Sequence, residues 1–286
     1  MIDPEILRRA VRAALEEDLG PGDITSQAVV GEATRGRGRI VARESLVVAG
    51  LPAAREAFRQ VDPGLAFDEA AAEGERRGAG EPIAFVSGAA RSILAAERTA
   101  LNFLQRMSGI ATAVRRLVDR VGESGLQVAD TRKTAPGLRA FDKYAVRVGG
   151  GTNHRSGLHD AVLIKDNHWR LAGGVAAAVS RARQAMADRG PGAGRRARIE
   201  VEVGTIADLE EALEAGADAI LLDNMDATTL ERAVTRARGR AFLEVSGGVG
   251  EDDLQRLAAL GIDRVSIGSL THSVRAADIA LELEAA

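Results

Sequence analysis

The chain of 286 residues carries 38 Lys and Arg against 41 Asp and Glu, a formal net charge of −3, and its basic residues are scattered rather than gathered in one tract. That balance gives no whole-molecule attraction to nucleic acid, and the length accommodates two modest domains or one large α/β barrel with additions. No stretch is apolar for long enough to span a bilayer, and the lack of cysteine excludes a disulfide framework and a thiolate nucleophile, a pattern that fits a cytoplasmic protein.

In chain order, residues 1–19 read as a charged amphipathic helix without the apolar core of a signal peptide. A turn at Gly20-Pro21-Gly22-Asp23 and β-type runs at 38–48 and 82–86 predict an N-terminal α+β, sandwich-like domain over residues 1–108. Residues 92–121 place Ile93, Ala100, Leu104, Met107, Ala111, Val114 and Val118 at helical spacing, so one long helix or two abutting ones are expected, with Gly109 as a possible break.

From Leu126 the pattern changes to short apolar runs at 126–129, 161–164, 199–203, 219–222, 242–245 and 265–267, each followed by a helix-length segment. Runs alternating with helices predict a parallel sheet with right-handed crossovers. The helices 207–215, 227–238 and 252–260 close on Gly216, Gly239 and Gly261, each suited to end a helix. The fold class is therefore α/β. Asp130 to Lys133, Lys165 to His168, Glu202 to Gly204, Asp223-Asn224, Ser246 to Gly248 and Gly268-Ser269 directly follow the apolar runs. Polar residues at successive strand ends select a barrel with an active site at its mouth, over residues 109–272. Residues 273–286 are expected to return as a helix that packs back on the first domain.

Those ends carry three kinds of chemistry. Lysine is used only at Lys133, Lys143 and Lys165, in the window that also holds His154, His159 and His168; against so strong a preference for arginine, Lys133 and Lys165 read as point-charge contacts. With Arg132, His154 and Arg155 they form a basic wall suited to a small molecule bearing several carboxylates or phosphates. Glu202 and Asp223 end neighbouring strands and suit Mg²⁺ bound together with substrate oxygens, although Glu200 lies two residues before Glu202 and spacing alone does not decide which acid faces the site. Ser246, Gly247, Gly248 and Gly268 expose backbone N–H groups for a phosphate. A polycarboxylate, a phosphate and a metal-bound pyrophosphate together describe phosphoribosyl transfer to an aromatic acid, for which positioning and electrostatics suffice without a nucleophilic side chain.

The phrases at 17–25, 97–104, 108–112, 130–139, 149–155, 163–168, 222–224, 244–248 and 268–273 resemble the quinolinate phosphoribosyltransferases along nearly the whole chain. The resemblance implies an N-terminal α/β domain, an incomplete, open α/β barrel, and a homodimer with shared active sites that could assemble further. It assigns Arg132, His154, Arg155 and Lys165 to the two quinolinate carboxylates, with Arg98 supplied by the partner chain. It assigns Lys133, Glu202 and Asp223 to phosphoribosyl pyrophosphate and its Mg²⁺, and Ser246, Gly247, Gly248, Gly268 and His272 to the 5′-phosphate. Ala135 and Val245 depart from the pattern inside its motifs, both conservatively in size. A molybdenum-utilisation relative of the same fold, a nicotinate phosphoribosyltransferase and a non-catalytic phosphate-sensing barrel are the competing readings; the full set of four cations together with the two acids argues against each.

Overall fold

Arginines alternate with buried positions along Arg35–Ala42, where Arg35, Arg37 and Arg39 face solvent while Gly36, Gly38 and Ile40 are buried. That period of two makes the segment a strand with one covered face. In the computed structural model, which describes residues 1–188 and 198–285, it is the first of twelve strands among the described residues. These are β1 (Arg35–Ala42), β2 (Leu46–Val47), β3 (Ala66–Glu69), β4 (Arg76–Arg77), β5 (Pro82–Ala89), β6 (Gln127–Ala129), β7 (Val162–Ile164), β8 (Ile199–Val203), β9 (Ala219–Asp223), β10 (Phe242–Ser246), β11 (Arg264–Ser266) and β12 (Ile279–Ala285). The helices are α1 (Pro4–Leu19), α2 (Ile24–Val29), α3 (Leu51–Val61), α4 (Ala90–Val121), α5 (Arg139–Val148), α6 (Asp166–Ala172), α7 (Val175–Asp188), α8 (Ile206–Glu214), α9 (Ala227–Ala237), α10 (Leu254–Leu260) and α11 (Ser269–His272). Among the described residues, no helix is long and apolar enough to cross a membrane.

The chain divides into two units, one formed by Met1–Arg116, Lys133–Gly151 and Ser269–Ala286, the other by Leu117–Arg132 and Thr152–Gly268. These bounds differ from the expected division at 108/109, and the packing inside the first unit gives the reason. α5 lies against α4, with the rings of Phe103 and Phe141 5.1 Å apart and Arg106 paired to the fully buried Asp142, so residues 133–151 share a core with the N-terminal segment.

The first unit holds an antiparallel sheet in the order β12-β1-β5-β3, with β2 and β4 as a separate pair. Its last strand corrects the expectation of a helix over 273–286, of which Ala286 lies outside the described residues. β12 runs antiparallel to β1 from Gly36↔Ala285 to Ala42↔Ile279. The Ala, Leu and Glu content favours a helix locally, but Ile279, Leu281 and Leu283 alternate with Ala280, Glu282 and Glu284. That register covers an otherwise open edge of β1, and Arg39 and Arg43 both pair with Glu282 at 2.7 and 2.9 Å.

In the second unit six parallel strands stand in the order β6-β11-β10-β9-β8-β7. The first strand of this unit pairs with its last, at Gln127↔Arg264 through Ala129↔Ser266, as barrel closure requires. β6 and β7 are the consecutive strands that do not pair, and the segment between them contains residues 133–151 of the first unit. The sheet is therefore an open α/β barrel. All six apolar runs became strands, and the expected helix ends hold: Gly261, at φ 84°, caps α10 in a left-handed conformation.

Gly109 does not break α4, which is helical from Ala90 to Val121. A Cβ at this position would fall on the Arg275 carbonyl oxygen and lie 3.2 Å from both Ala276 Cα and Ala277 N. The glycine thus admits the backbone of 275–277, which is held there by Ala277 N–H donating to Gln105 O at 2.9 Å and Gln105 Nε2 to Ile279 O at 2.8 Å. Helix propensity alone would make alanine the better residue by about 1 kcal/mol. Gly109→Ala is instead expected to destabilise the protein by about 1–3 kcal/mol, as overpacking against backbone does; a denaturation midpoint equal to or above wild type would show that the close approach is not needed.

Candidate active site

In a parallel sheet, register partners on neighbouring strands point to the same face and every second residue returns to it. Glu200 is opposite Ala219 and Leu163, Glu202 and Glu244 are both opposite Leu221, Ser246 is opposite Asp223, and Glu244 is opposite Arg264. Glu200, Glu202, Asp223, Glu244, Ser246 and Arg264 therefore share one face, the face toward which Lys165 extends β7. The outward set, including Val201, Val203, Leu243 and Val245, is buried. The charged and polar residues of this sheet thus stand on its inner face, among Leu163, Ala219 and Leu221, while the outer face is apolar.

At mid-strand depth the polar residues form a closed cluster. Glu244 is fully buried and Glu200 is 6% exposed. Arg264 reaches both, through Nε to Glu244 and through a terminal nitrogen 3.2 Å from Glu200 Oε1. His154 Nε2 lies 3.1 Å from Glu200 Oε2 and 3.7 Å from Glu244 Oε1. Burial and the neighbouring Glu200 charge push the Glu244 carboxyl up to about 7, while the His154 and Arg264 contacts outweigh burial and hold Glu200 below the usual range. His154, Glu200 and Glu244 have the spacing of a metal-binding group, but a guanidinium already bonds both carboxylates. Of the two acids that spacing left open, Glu200 belongs to this cluster and Glu202 lies two residues nearer the strand end.

At the mouth, Glu202 is bonded by Lys165 Nζ, whose side chain is 45% exposed, and its carbonyl accepts Trp169 Nε1–H at 3.4 Å. Arg155 and Arg132 are both half-buried. Burial, and next the Arg132 charge, push the Arg155 guanidinium below its ordinary value, with Asp160, Glu200 and Glu202 opposing. Arginine does not deprotonate under such a shift; burial is its larger cause and the Arg132 charge the smaller, and a bound anion would offset both. The loop carrying Arg155 is tied at both ends. Fully buried Asp130 accepts Asn153 Nδ2 at 2.5 Å and His154 N–H at 2.9 Å, while Asp160 accepts Ser156 N–H at 2.6 Å and Ser156 Oγ–H at 2.7 Å, which hold its carboxyl near 2.

Asp223 accepts Asn224 Nδ2–H at 2.8 Å. Asn224 adopts φ 53°, unusual for a non-glycine residue, and its side chain occupies the space that a Cβ on Gly247 would need. Only glycine, here at φ 90°, lets the β10 end come so close to the β9 end. Ser246, Gly247 and Gly248 line a pocket of about 200 Å³ with Met225 and Arg256, and Gly268 follows β11 in the same unit.

Arg98, Lys133 and His272 belong to the first unit. Arg98 is exposed on α4. Thr271 Oγ1 donates to the Lys133 carbonyl at 2.8 Å, and Arg106 donates to the Thr271 carbonyl at 3.1 Å while holding both oxygens of Asp142 at 2.8 and 2.7 Å. Asp142 also accepts Ala135 N–H at 3.3 Å. Arg106 and Asp142 therefore fix the backbone beside both Lys133 and His272, a role the sequence reading did not find. Lys143, which the sequence left without a role, is buried. Glu244 and Arg264 were also missed; the one signal was a charge inside an apolar run for Glu244 and directly before one for Arg264.

Family models described as the N-terminal and C-terminal domains of quinolinate phosphoribosyl transferase match residues 23–108 and 110–282. The chain is 44% identical over 282 residues to the nicotinate-nucleotide pyrophosphorylase [carboxylating] of Mycobacterium leprae (strain TN), with 96% of each chain covered. It is 39% identical over 277 residues to the probable nicotinate-nucleotide pyrophosphorylase [carboxylating] of Bacillus subtilis (strain 168), covering 97% of this chain and 93% of that one. The structure of the nicotinate-nucleotide pyrophosphorylase from Francisella tularensis matches with a TM-score of 0.93 and 38% identity, over 99% of this chain and 98% of that one. With both family models matched in order and relatives aligned over almost their full lengths, the chain belongs to the quinolinate phosphoribosyl transferase family.

Proposed function

We propose that the chain transfers the phosphoribosyl group of phosphoribosyl pyrophosphate to quinolinate with loss of one carboxylate, giving nicotinate mononucleotide, pyrophosphate and CO₂ for NAD synthesis. What supports this reading is the placing of half-buried Arg132 and Arg155 in the same unit as the strand-end Lys165, in a chain of the quinolinate phosphoribosyl transferase family. Cations gathered near one set of strand ends are suited to a dianion of quinolinate's size, and each charge-assisted contact contributes about 1.5–3 kcal/mol.

In the reaction the pyridine nitrogen attacks the anomeric carbon as the bond to pyrophosphate breaks, and pyrophosphate leaves with the electron pair. The bond from the ring to the adjacent carboxylate then breaks, its electron pair remains on the ring carbon and takes up a proton, and CO₂ departs. Arg132, Arg155 and Lys165 orient the ring for the first step, Lys133 meets the pyrophosphate charge, and Ser246, Gly247, Gly248, Gly268 and His272 hold the 5′-phosphate. Glu202 and Asp223 fit Mg²⁺, since both are oxygen donors on one face of adjacent strands and the ion is usually held by one or two carboxylates with substrate oxygens. The ion would offset the charge of the leaving pyrophosphate. Arg98, exposed on α4, is the residue a partner subunit would supply in a symmetric dimer with shared sites.

Quinolinate labelled in its 2-carboxylate should release labelled CO₂ only when phosphoribosyl pyrophosphate and Mg²⁺ are present, one CO₂ for each pyrophosphate. Release without phosphoribosyl pyrophosphate, or pyrophosphate formed from nicotinate with no use of quinolinate, would point to another reaction. For the shared site, Arg98→Ala and Lys165→Ala should each be folded and nearly inactive. Mixing them with subunit exchange should restore about a quarter of wild-type activity, because half of randomly paired dimers are mixed and each holds one intact site of two. No recovery despite demonstrated exchange would place both residues in one chain's site.

A further inference from the structure

Arg106 and Asp142 make more contacts than an ion pair needs. The guanidinium grips the carboxylate at two points, Nε to Oδ1 at 2.8 Å and Nη2 to Oδ2 at 2.7 Å, and Nη2 also donates to the Thr271 carbonyl at 3.1 Å. The carboxylate is fully buried and stands in the first turn of α5, a helix start without a side-chain cap. It reaches back to accept Ala135 N–H at 3.3 Å. Thr271, also fully buried, completes the circuit by donating Oγ1–H to the Lys133 carbonyl at 2.8 Å. One closed set of bonds thus joins α4, the segment 133–142 and α11, all within the first unit. Stability does not account for the pair, because apolar side chains of similar volume often serve a buried position as well or better. What apolar side chains could not do is hold a carbonyl on one segment and an N–H on another.

We infer that Arg106 and Asp142 are positioning residues for the phosphate-bearing substrate: they hold the turn that carries Lys133 and the short helix that carries His272 in one fixed relation. Neither acts on the substrate directly. Arg132, Arg155 and Lys165, the cations read as quinolinate contacts, stand in the other unit, so the pair serves one substrate and not the other. The inference rests on the proposed function in assigning Lys133 and His272 to phosphoribosyl pyrophosphate; the bonds themselves do not depend on it.

The double variant Arg106→Met with Asp142→Leu removes both charges together, so neither is left buried alone. Its KM for phosphoribosyl pyrophosphate should rise about ten- to a hundred-fold, the worth of one misdirected charge-assisted contact, while quinolinate binding to the free protein, followed by calorimetry, should be little changed. An unchanged KM, or an equal loss for both substrates, would overturn the inference, since a merely structural pair would not distinguish them. Should the double variant fail to fold, Thr271→Val removes only the bond to the Lys133 carbonyl at almost constant shape. It should show the same selective loss in smaller degree, and wild-type constants in it would sink the idea. Hydrogen exchange supplies a readout that needs no turnover: in either variant the amides of 133–135 and 271–273 should exchange faster than in wild type, and unchanged rates there contradict the positioning role. If wild type releases no CO₂ from quinolinate with phosphoribosyl pyrophosphate, the proposed function fails, while the exchange rates still decide whether these bonds hold the two segments.

Discussion

Two carboxyl groups inside the barrel with one guanidinium between them are the constraint around which the second unit is arranged. Glu200 and Glu244 stand on β8 and β10, separated by β9, and Arg264 at the start of β11 reaches both. Buried charges of one sign are costly unless paired and hydrogen-bonded. The structure meets this cost in three ways: Arg264 bonds both acids, the His154 ring lies 3.1 Å from Glu200, and Glu244 keeps a raised affinity for its proton. Small Ala219 lies opposite Glu200 in the register, so the strand between leaves room for the acids to approach.

The site is built on this cluster by the simple periodicity of strands. One step along β8 from Glu200 is Glu202, one step along β10 from Glu244 is Ser246, and Asp223 ends β9 opposite Ser246. Residues at the mouth inherit their directions from residues fixed below them, which is the kind of support that an active site working by positioning requires. The first unit uses the same device. The Arg106 and Asp142 pair between α4 and α5, its carboxylate fully buried, fixes the Thr271 carbonyl and the Ala135 N–H, backbone groups near His272 and Lys133, rather than those side chains themselves.

Much of this was legible in the sequence, because polar residues that directly follow apolar runs mark strand ends whatever the register. Hence Arg132, Lys165, Glu202, Asp223 and Ser246 fell at the ends expected. The interior cluster was not legible, for a physical reason. Spacing put Glu200 on the same side of its strand as Glu202 without deciding which acid faced the site, and because alternation normally separates a wet face from an apolar core, nothing in Phe242–Ser246 singled out Glu244 as a buried acid. In this barrel the outer residues are covered and apolar, and the charged residues stand on the inner face. Residues 279–285 misled in another way: their helix-favouring composition was overridden by pairing with the edge of β1. Gly109 looked like a helix break, while its actual service is to let a second backbone pass.

The central claim is that Arg264 is the counterion that makes two buried acids tolerable, and a double-mutant cycle tests it most directly. Arg264→Met should cost about 3–5 kcal/mol of folding stability, the loss expected when a buried ion pair is broken from one side. Glu244→Gln in the same chain should return a large part of that loss, because it removes one of the acids left behind. The account predicts such coupling between the two positions. A small effect of Arg264→Met, or losses that simply add in the double variant, would contradict it.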